Sequence, residues 1–134
     1  MDTLDTGDRG ASYSRFSSPL QSKESNADQQ RKCRKAARLK GCVISPELEF
    51  SDSVVSGTKR HRAGLDAMLE AARTGQFRAL YVDSLNRLSR ESVIRLSILK
   101  DLVYNHKIRI ISVTEGIDSN DIRWDLIAHV MSGI

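Results

Sequence analysis

The chain has 134 residues, of which 40% are hydrophobic and 28% are charged. This size predicts one domain with a substantial core, and no apolar run approaches the roughly 20 residues that span a bilayer. The first nine residues hold three aspartates and no apolar segment, so they are predicted to be a disordered lead-in rather than a secretory signal. Cys33 and Cys42 lack metal-site spacing and are predicted to be reduced packing residues of a cytoplasmic protein.

The formal net charge is +4, and the basic residues are clustered. Six of them lie between residues 31 and 40, and a second cluster occupies residues 59–62. Such blocks suit a polyanion such as nucleic acid, although a solvated helix face has the same composition. The candidate DNA contacts are Arg31, Lys35, Lys59 and Arg60.

The hydrophobic pattern predicts strands that alternate with helices. The predicted strands are 12–16, 42–50, 79–82 and 107–114, and the predicted helices are 26–40, 63–74, 91–105 and a last helix capped by Asp121 or an earlier residue. Gly41 and Gly75 follow two of these helices, and Pro46 marks a bend or edge position. Alternation with short connections predicts an α/β fold, an open, mainly parallel four- to five-stranded sheet with helices on both faces.

The last helix has an apolar face that continues to the end of the chain without a stop signal. Its members are Ile122, Leu126, Ile127, Val130, Met131 and Ile134. We therefore expect this helix to continue in a longer protein, and residues 115–120 to form a loop before it.

In an open parallel sheet, ligands bind beyond the carboxyl ends of the strands. Three predicted loops, 17–21, 52–62 and 83–90, meet at that edge. They bring a hydroxyl, Ser17 or Ser18, close to four guanidinium groups. These belong to Arg15, Arg62, Arg87 and Arg90.

Four arginines around a hydroxyl favour phosphoryl transfer, because guanidinium groups bind phosphate oxygens in pairs and stay charged at any working pH. No glycine-rich phosphate loop is present, and the three histidines (His61, His106 and His129) form no recognisable hydrolase triad. A second hypothesis is a Mg²⁺-dependent nuclease or phosphotransferase that uses four carboxylates at the same edge. These are Asp52, Asp83, Glu115 and Asp118.

Five spaced motifs resemble those of the serine recombinases, the resolvase/invertase and large serine integrase group. The first reads Tyr13-x-Arg15-x-Ser17-x-x-x-Gln21, followed by Ser25 and Gln29. The next three are Phe50-x-Asp52, Ser56-Gly57 and Arg62-x-Gly64-Leu65, and the last is Leu85-Asn86-Arg87-Leu88-Ser89-Arg90. The resemblance covers residues 11–134 and is strongest to the large serine integrase and transposon recombinase branch.

The resemblance implies a catalytic domain over residues 10–134 that cuts and rejoins double-stranded DNA. Ser17 would attack a phosphodiester and form a 5′-phosphoseryl link, without metal, ATP or another cofactor. The four arginines named above would bind the phosphate, and the supporting polar residues would be Tyr13, Gln21, Gln29, Asp52 and Ser56. The full-length protein would form dimers and a synaptic tetramer, with separate DNA-binding domains after this one and no membrane partner.

Asn86 departs from the pattern, because the family usually has an aspartate there. That aspartate is a candidate general acid for the 3′-oxygen, and an amide cannot donate a proton for transfer. Either Asn86 positions a partner while an arginine or water supplies the proton, or the protein is slow. We expect an active enzyme, and the alternative is an impaired module that serves assembly on DNA.

Overall fold

A computed structural model of the protein describes residues 9–16, 24–53 and 62–132. The strands are β1 (Arg9–Phe16), β2 (Val43–Ser53), β3 (Ala79–Val82), β4 (Arg109–Ser112) and β5 (Ile117–Asp118). The helices are α1 (Glu24–Leu39), α2 (Ala63–Arg73), α3 (Ser92–Lys100) and α4 (Trp124–Ser132). A 3₁₀ turn, Leu85–Arg87, follows β3, and a π-helical turn, Asp101–Asn105, extends α3.

The five strands form one sheet in the order β2-β1-β3-β4-β5. The first four are parallel, and β5 runs antiparallel to β4. The predicted open, mainly parallel α/β sheet is therefore confirmed. Residues 115–120 are not a loop throughout, because Ile117 and Asp118 pair with β4. Two residues are too short to show a strand pattern in sequence.

The helices pack on both faces of the sheet, and β3 shows the alternation that allows this. Leu80 and Val82 face the larger core with α2, α3 and α4, whereas Ala79 and Tyr81 face the smaller core under α1. All four side chains are buried, as expected for a central parallel strand. The predicted bounds of this strand, 79–82, are confirmed.

The outer strand β2 contains an irregularity where Pro46 was expected to mark a bend or an edge. Gly10 of β1 pairs with Ile44, and Ser12 pairs with Glu49, so β2 advances five residues while β1 advances two. Proline fits here because it cannot donate to a regular ladder. The neighbouring strand β1 begins at Arg9, a residue that the sequence analysis assigned to the disordered lead-in. The other residues of that predicted lead-in lie outside the described part of the chain.

The predicted apolar face of the last helix packs on the core only in part. Ile127 is partly buried against the core beside the buried Trp124 and Ala128, while Leu126 and Val130 are each 65% exposed. Ile122 is 98% exposed and precedes the helix, which begins at Trp124, after the predicted cap at Asp121, because the residues between them form turns. The aromatic side chain fixes which face packs, and the aliphatic stripe at spacing four remains on the surface.

Gly64 places α2 against the end of β2. An added Cβ there would lie 2.2 Å from the backbone oxygen of Ser51, so backbone must move to accept any side chain. Alanine normally stabilises a helix relative to glycine, by about 1 kcal/mol. Here the steric cost outweighs that gain.

We predict that Gly64→Ala lowers the free energy of unfolding by roughly 1–3 kcal/mol, measured by urea denaturation, because overpacking forces a backbone shift. Ser97→Ala, at an exposed position of α3, is the control and should change stability by less than about 0.5 kcal/mol. A more stable Gly64→Ala protein would show that α2 does not approach β2 this closely.

Candidate active site

The parallel strands β1 to β4 end at one edge of the sheet, and the predicted site residues that the structure describes lie near it. Asp52 is at the end of β2, Arg15 at the end of β1, and Arg87 in the turn after β3. Several predicted residues lie outside the described part of the chain. These are Ser17, Ser18, Gln21, Ser56, Lys59 and Arg60.

The Asp52 carboxylate connects β1, β2 and α2. Its Oδ1 accepts a hydrogen bond from the Gly64 amide at 2.8 Å, and its Oδ2 accepts one from the Leu65 amide at 2.9 Å. Oδ2 also accepts from the Tyr13 hydroxyl at 2.7 Å. The first backbone amides of a helix have no hydrogen-bond partner within the helix and carry partial positive charge. The Asp52 carboxylate, from the strand β2, therefore caps the start of α2.

Tyr13 and Arg62 form the second layer of this network. The Tyr13 hydroxyl accepts a bond from Arg62 Nη2 at 2.7 Å, and the guanidinium lies 5.5 Å from the centroid of the tyrosine ring. Burial, followed by the hydrogen bond to Asp52, raises the pKa of Tyr13 far above its usual value. The phenol therefore stays neutral and keeps its donor on Asp52.

Arg62 also fastens the loop that follows β3. Its Nη1 donates to the Leu88 carbonyl at 2.5 Å, and its Nη2 donates to the Arg87 carbonyl at 2.8 Å. The sequence singled out Arg62 as a phosphate ligand. In the structure its two terminal nitrogens hold protein oxygens, so Arg62 joins the start of α2 to the turn that carries Arg87.

Side chains from other elements hold the end of β1 through hydrogen bonds to its backbone. Gln29, in α1, accepts a hydrogen bond from the Arg15 amide at 3.1 Å and donates one to the Arg15 carbonyl at 3.0 Å. Arg87 Nη1 donates to the same carbonyl at 2.9 Å. Asn26, which the sequence did not indicate, donates to the Asp52 carbonyl at 3.2 Å. The bonds to Arg15 fix the backbone at the end of β1, and the bond from Asn26 joins α1 to the end of β2.

The four arginines form an electropositive cluster. Burial lowers the pKa of Arg15, and the positive charges of Arg62, Arg90 and Arg87 lower it further. The Nε atoms of Arg15, Arg62 and Arg87 are buried and have no hydrogen-bond partner among the described residues. The predicted convergence of the arginines at this edge is therefore present in the structure.

Comparison with known proteins decides the family. A model of the family described as "Resolvase, N terminal domain" matches residues 10–134. The chain belongs to the resolvase family. The predicted resemblance to the serine recombinases is thereby confirmed. No curated protein matches the chain significantly.

Two solved structures of similar size resemble this resolvase-family domain. One is the N-terminal catalytic domain of TP901-1 integrase, at 27% identity and a TM-score of 0.77, covering 93% of this chain and 92% of that one. The other is a resolvase family site-specific recombinase from Streptococcus pneumoniae, at 25% identity and a TM-score of 0.75, covering 93% and 83%.

A third solved structure shares the fold. It is the C-terminal catalytic domain of ISC1926 TnpA, an IS607-like serine recombinase, at 22% identity and a TM-score of 0.62. The alignment covers 78% of this chain and 70% of that one.

Asp83 belongs to the site of this resolvase-family domain, although no motif indicated it in this role. It lies at the end of β3, is 8% exposed, and accepts a hydrogen bond from the Thr114 hydroxyl at 2.6 Å. Lys32 and Arg87 each approach it to 3.5 Å. Burial alone would raise the pKa of Asp83, but the bond from Thr114 and the two cations outweigh it and lower the pKa.

Glu115 and Asn86 hold the turn after β3. Glu115 Oε1 accepts from the Leu85 amide at 2.9 Å and from the Ser112 hydroxyl at 2.6 Å. Asn86 is exposed, and its Oδ1 accepts from the Ser84 hydroxyl at 2.6 Å. The amide therefore makes a bond within the turn.

The proposed magnesium ligands do not come together. Asp52 caps α2, Asp83 binds Thr114, and Asp118 pairs with Arg109 at 2.5 Å on another part of the sheet. Across residues 9–16, 24–53 and 62–132, no group of three or more His, Cys, Asp or Glu side chains could hold a metal ion. The carboxylates serve as structural acceptors for arginine, threonine and backbone donors.

The remaining predictions concern packing and surface. Cys33 and Cys42 are buried and not joined in a disulfide, as predicted, and burial raises the pKa of Cys33 to about 12, so this thiol stays protonated. Part of the basic surface of α1 is paired: Arg31 with Asp28 and Arg34 with Glu49, each at 2.5 Å. In the described part of the chain no helix is long and apolar enough to cross a membrane.

We predict that Asp52→Ala lowers the free energy of unfolding by roughly 2–4 kcal/mol, because two helix amides and the Tyr13 hydroxyl lose their acceptor. Asp66→Ala, in the exposed first turn of α2, is the matched control and should cost about 1 kcal/mol or less. Equal losses in the two variants, measured by urea denaturation, would contradict the assigned role of Asp52.

Proposed function

We propose that this chain is the catalytic domain of a site-specific DNA recombinase and that Ser17 is its nucleophile. The observation that carries the proposal is the arginine cluster at the end of β1, where burial and, after it, the positive charges of Arg62, Arg90 and Arg87 lower the pKa of Arg15. Ser17 follows Arg15 by two residues in the sequence, and this spacing supports its assignment as the nucleophile. The nearest alternative hydroxyl, Ser18, is one residue further along.

A phosphodiester is the substrate class that such a cluster favours. Positive charges held close together repel one another, and a bound anion relieves that repulsion. Guanidinium groups bind phosphate oxygens in pairs, so the cluster offers donors that suit a phosphodiester. We assign phosphate binding to Arg15, Arg87 and Arg90. Arg62 adds positive charge and holds the loop, since its terminal nitrogens bind Tyr13 and two carbonyls.

The reaction we propose is a transesterification. Ser17 Oγ attacks phosphorus, loses its proton, and forms a phosphoserine ester with the 5′ end while the 3′-oxygen leaves and takes up a proton. In the second step a 3′-hydroxyl of the partner strand attacks the same phosphorus and releases Ser17. One phosphate ester replaces another in each step, so no ATP and no metal is required. The fixed arginines stabilise the charge that develops on the phosphate oxygens.

The supporting residues prepare the site before the substrate binds. Tyr13, Gln29 and Asp52 hold β1, α1 and α2 together through the hydrogen bonds described above. Gln21 and Ser56 remain predicted supporting residues. Such preorganisation matters because donors that are already in place need no rearrangement as the reaction proceeds.

Double-stranded DNA and a second copy of the protein are the proposed partners. Arg31 and Lys35 are exposed on α1 and could contact DNA, together with Lys59 and Arg60. Ile122, just before α4, and Leu126 and Val130 on α4 are exposed and suit a self-association surface, since an exposed apolar patch marks an interaction site. A cytoplasmic location follows from these partners.

The test of the proposed chemistry is a covalent adduct. We would incubate the full-length protein with DNA carrying the ends of its own mobile element, denature it, and locate the attached peptide by mass spectrometry. The expected result is a 5′-phosphoseryl adduct on Ser17 that forms in EDTA and disappears in Ser17→Ala. Ser18→Ala is the matched control and should keep the adduct. DNA cleavage without an adduct, abolished by EDTA, would contradict the proposal.

The same assay decides between an active enzyme and the second candidate, an impaired module for assembly on DNA. Asn86 favours that candidate, because its amide donates no proton for transfer and binds Ser84 within the turn. An adduct in the natural sequence assigns activity to the protein. DNA binding and synapsis with an adduct only in Asn86→Asp would assign the assembly role.

A further inference from the structure

Asp83 and Arg87 form a buried ion pair beside the proposed phosphate site. Arg87 Nη2 lies 3.5 Å from Asp83 Oδ2, and the side chains are 21% and 12% exposed. The other terminal nitrogen, Nη1, donates to the Arg15 carbonyl at 2.9 Å. Nη1 of Arg87 therefore has a hydrogen-bond acceptor on β1, and Nη2 has an ion-pair partner directly after β3.

Other elements fix the acceptor itself. The Thr114 hydroxyl, from the end of β4, donates to Asp83 Oδ1 at 2.6 Å, and the Thr114 amide donates to the Asp83 carbonyl at 2.9 Å. Lys32, from α1, approaches Oδ1 to 3.5 Å. A carboxylate held on one oxygen by a hydroxyl and a lysine keeps its other oxygen directed to one partner.

We propose that Asp83 is a positioning residue that fixes the guanidinium of Arg87 for the phosphate. The inference deepens the proposed function and rests on it. An arginine side chain has many rotamers, and a phosphate ligand is effective only when its donors are already in place. Asp83 and the Arg15 carbonyl hold the two ends of the guanidinium, and its buried Nε has no partner among the residues the structure describes.

The position of the carboxylate matters for the chemistry. Asn86, directly before Arg87, has an uncharged amide side chain. The carboxylate that contacts Arg87 belongs to Asp83, four residues before Arg87. Asp83 stays ionised because Thr114, Lys32 and Arg87 stabilise its negative charge. It therefore supplies charge and orientation to Arg87, and it does not supply the proton that the 3′-oxygen needs.

The test uses the chain with ¹⁵N-labelled arginine and the isosteric variant Asp83→Asn. Hydrogen exchange at the Arg87 guanidinium, assigned with Arg87→Lys, is measured by NMR, and inorganic phosphate is the binding probe. We expect Asp83→Asn to speed this exchange and to raise the Kd for phosphate about tenfold, within the range expected for a misplaced binding group. In the Arg87→Lys background, Asp83→Asn should leave the Kd unchanged.

Asp118→Asn is the matched control, because Asp118 also pairs with an arginine, Arg109, but on another part of the sheet. It should change neither the exchange of Arg87 nor the Kd for phosphate. Thr114→Val removes the hydroxyl that donates to Asp83 Oδ1 and so tests the same proposal without changing Asp83. It replaces Asp83→Asn in the test if that variant does not fold. Its expected effect is in the same direction and smaller.

Unchanged exchange and unchanged phosphate affinity in folded Asp83→Asn would overturn the proposal. An additive effect of Asp83→Asn in the Arg87→Lys background would also overturn it, because Asp83 would then act independently of Arg87. Faster exchange in Asp83→Asn, in a protein whose natural sequence binds no phosphate, supports the Asp83–Arg87 link and counts against the proposed function.

Discussion

The Asp52 carboxylate joins three parts of the chain at the carboxyl edge of the sheet. It ends β2, caps the first amides of α2, and accepts the hydroxyl of Tyr13 from β1. Tyr13 in turn accepts from Arg62, which holds the carbonyls of the turn after β3. Because each contact fixes the next, the loss of the half-buried Asp52 carboxylate would loosen β1, α2 and the Arg87 turn together. The site depends on this chain of contacts more than on any single arginine.

The arrangement separates two tasks that arginines perform. Arg62 donates three hydrogen bonds from its terminal nitrogens to protein oxygens and holds the site together, whereas Arg87 donates one from Nη1, to the Arg15 carbonyl, and pairs with Asp83 at 3.5 Å through Nη2. Two carboxylates offset the repulsion among the arginines. Asp52 is linked to Arg62 through the Tyr13 hydroxyl, and Asp83 pairs with Arg87 directly. A cluster of positive charge is stable in a fold only when such acceptors surround it, and here they leave part of the charge available for an anion.

The hydrophobic periodicity and the glycines that end helices predict the fold well. The buried run 79–82 and the glycines after α1 and α2 place strands and helices near their observed positions, since period and turn chemistry are local. The two-residue β5 and the packing face of α4 were missed, because each depends on a partner distant in sequence. Motif spacing placed Arg15, Arg87, Gln29 and Asp52 in the site. Asn26 and Thr114 could not be found this way, and Asp83 was named only as a metal ligand, since each acts through a contact between separate strands or helices.

A crystal of the protein soaked in tungstate, an anion shaped like phosphate, tests the central claim most directly. The account predicts an anomalous tungsten peak at the end of β1, with its oxygens within hydrogen-bond distance of Arg15, Arg87 and Arg90. The Asp83–Arg87 and Arg62–Tyr13 contacts should be unchanged in the bound structure, because the site is formed before the anion binds. A peak found only on the basic surface of α1, with the β1 edge empty, would contradict the account.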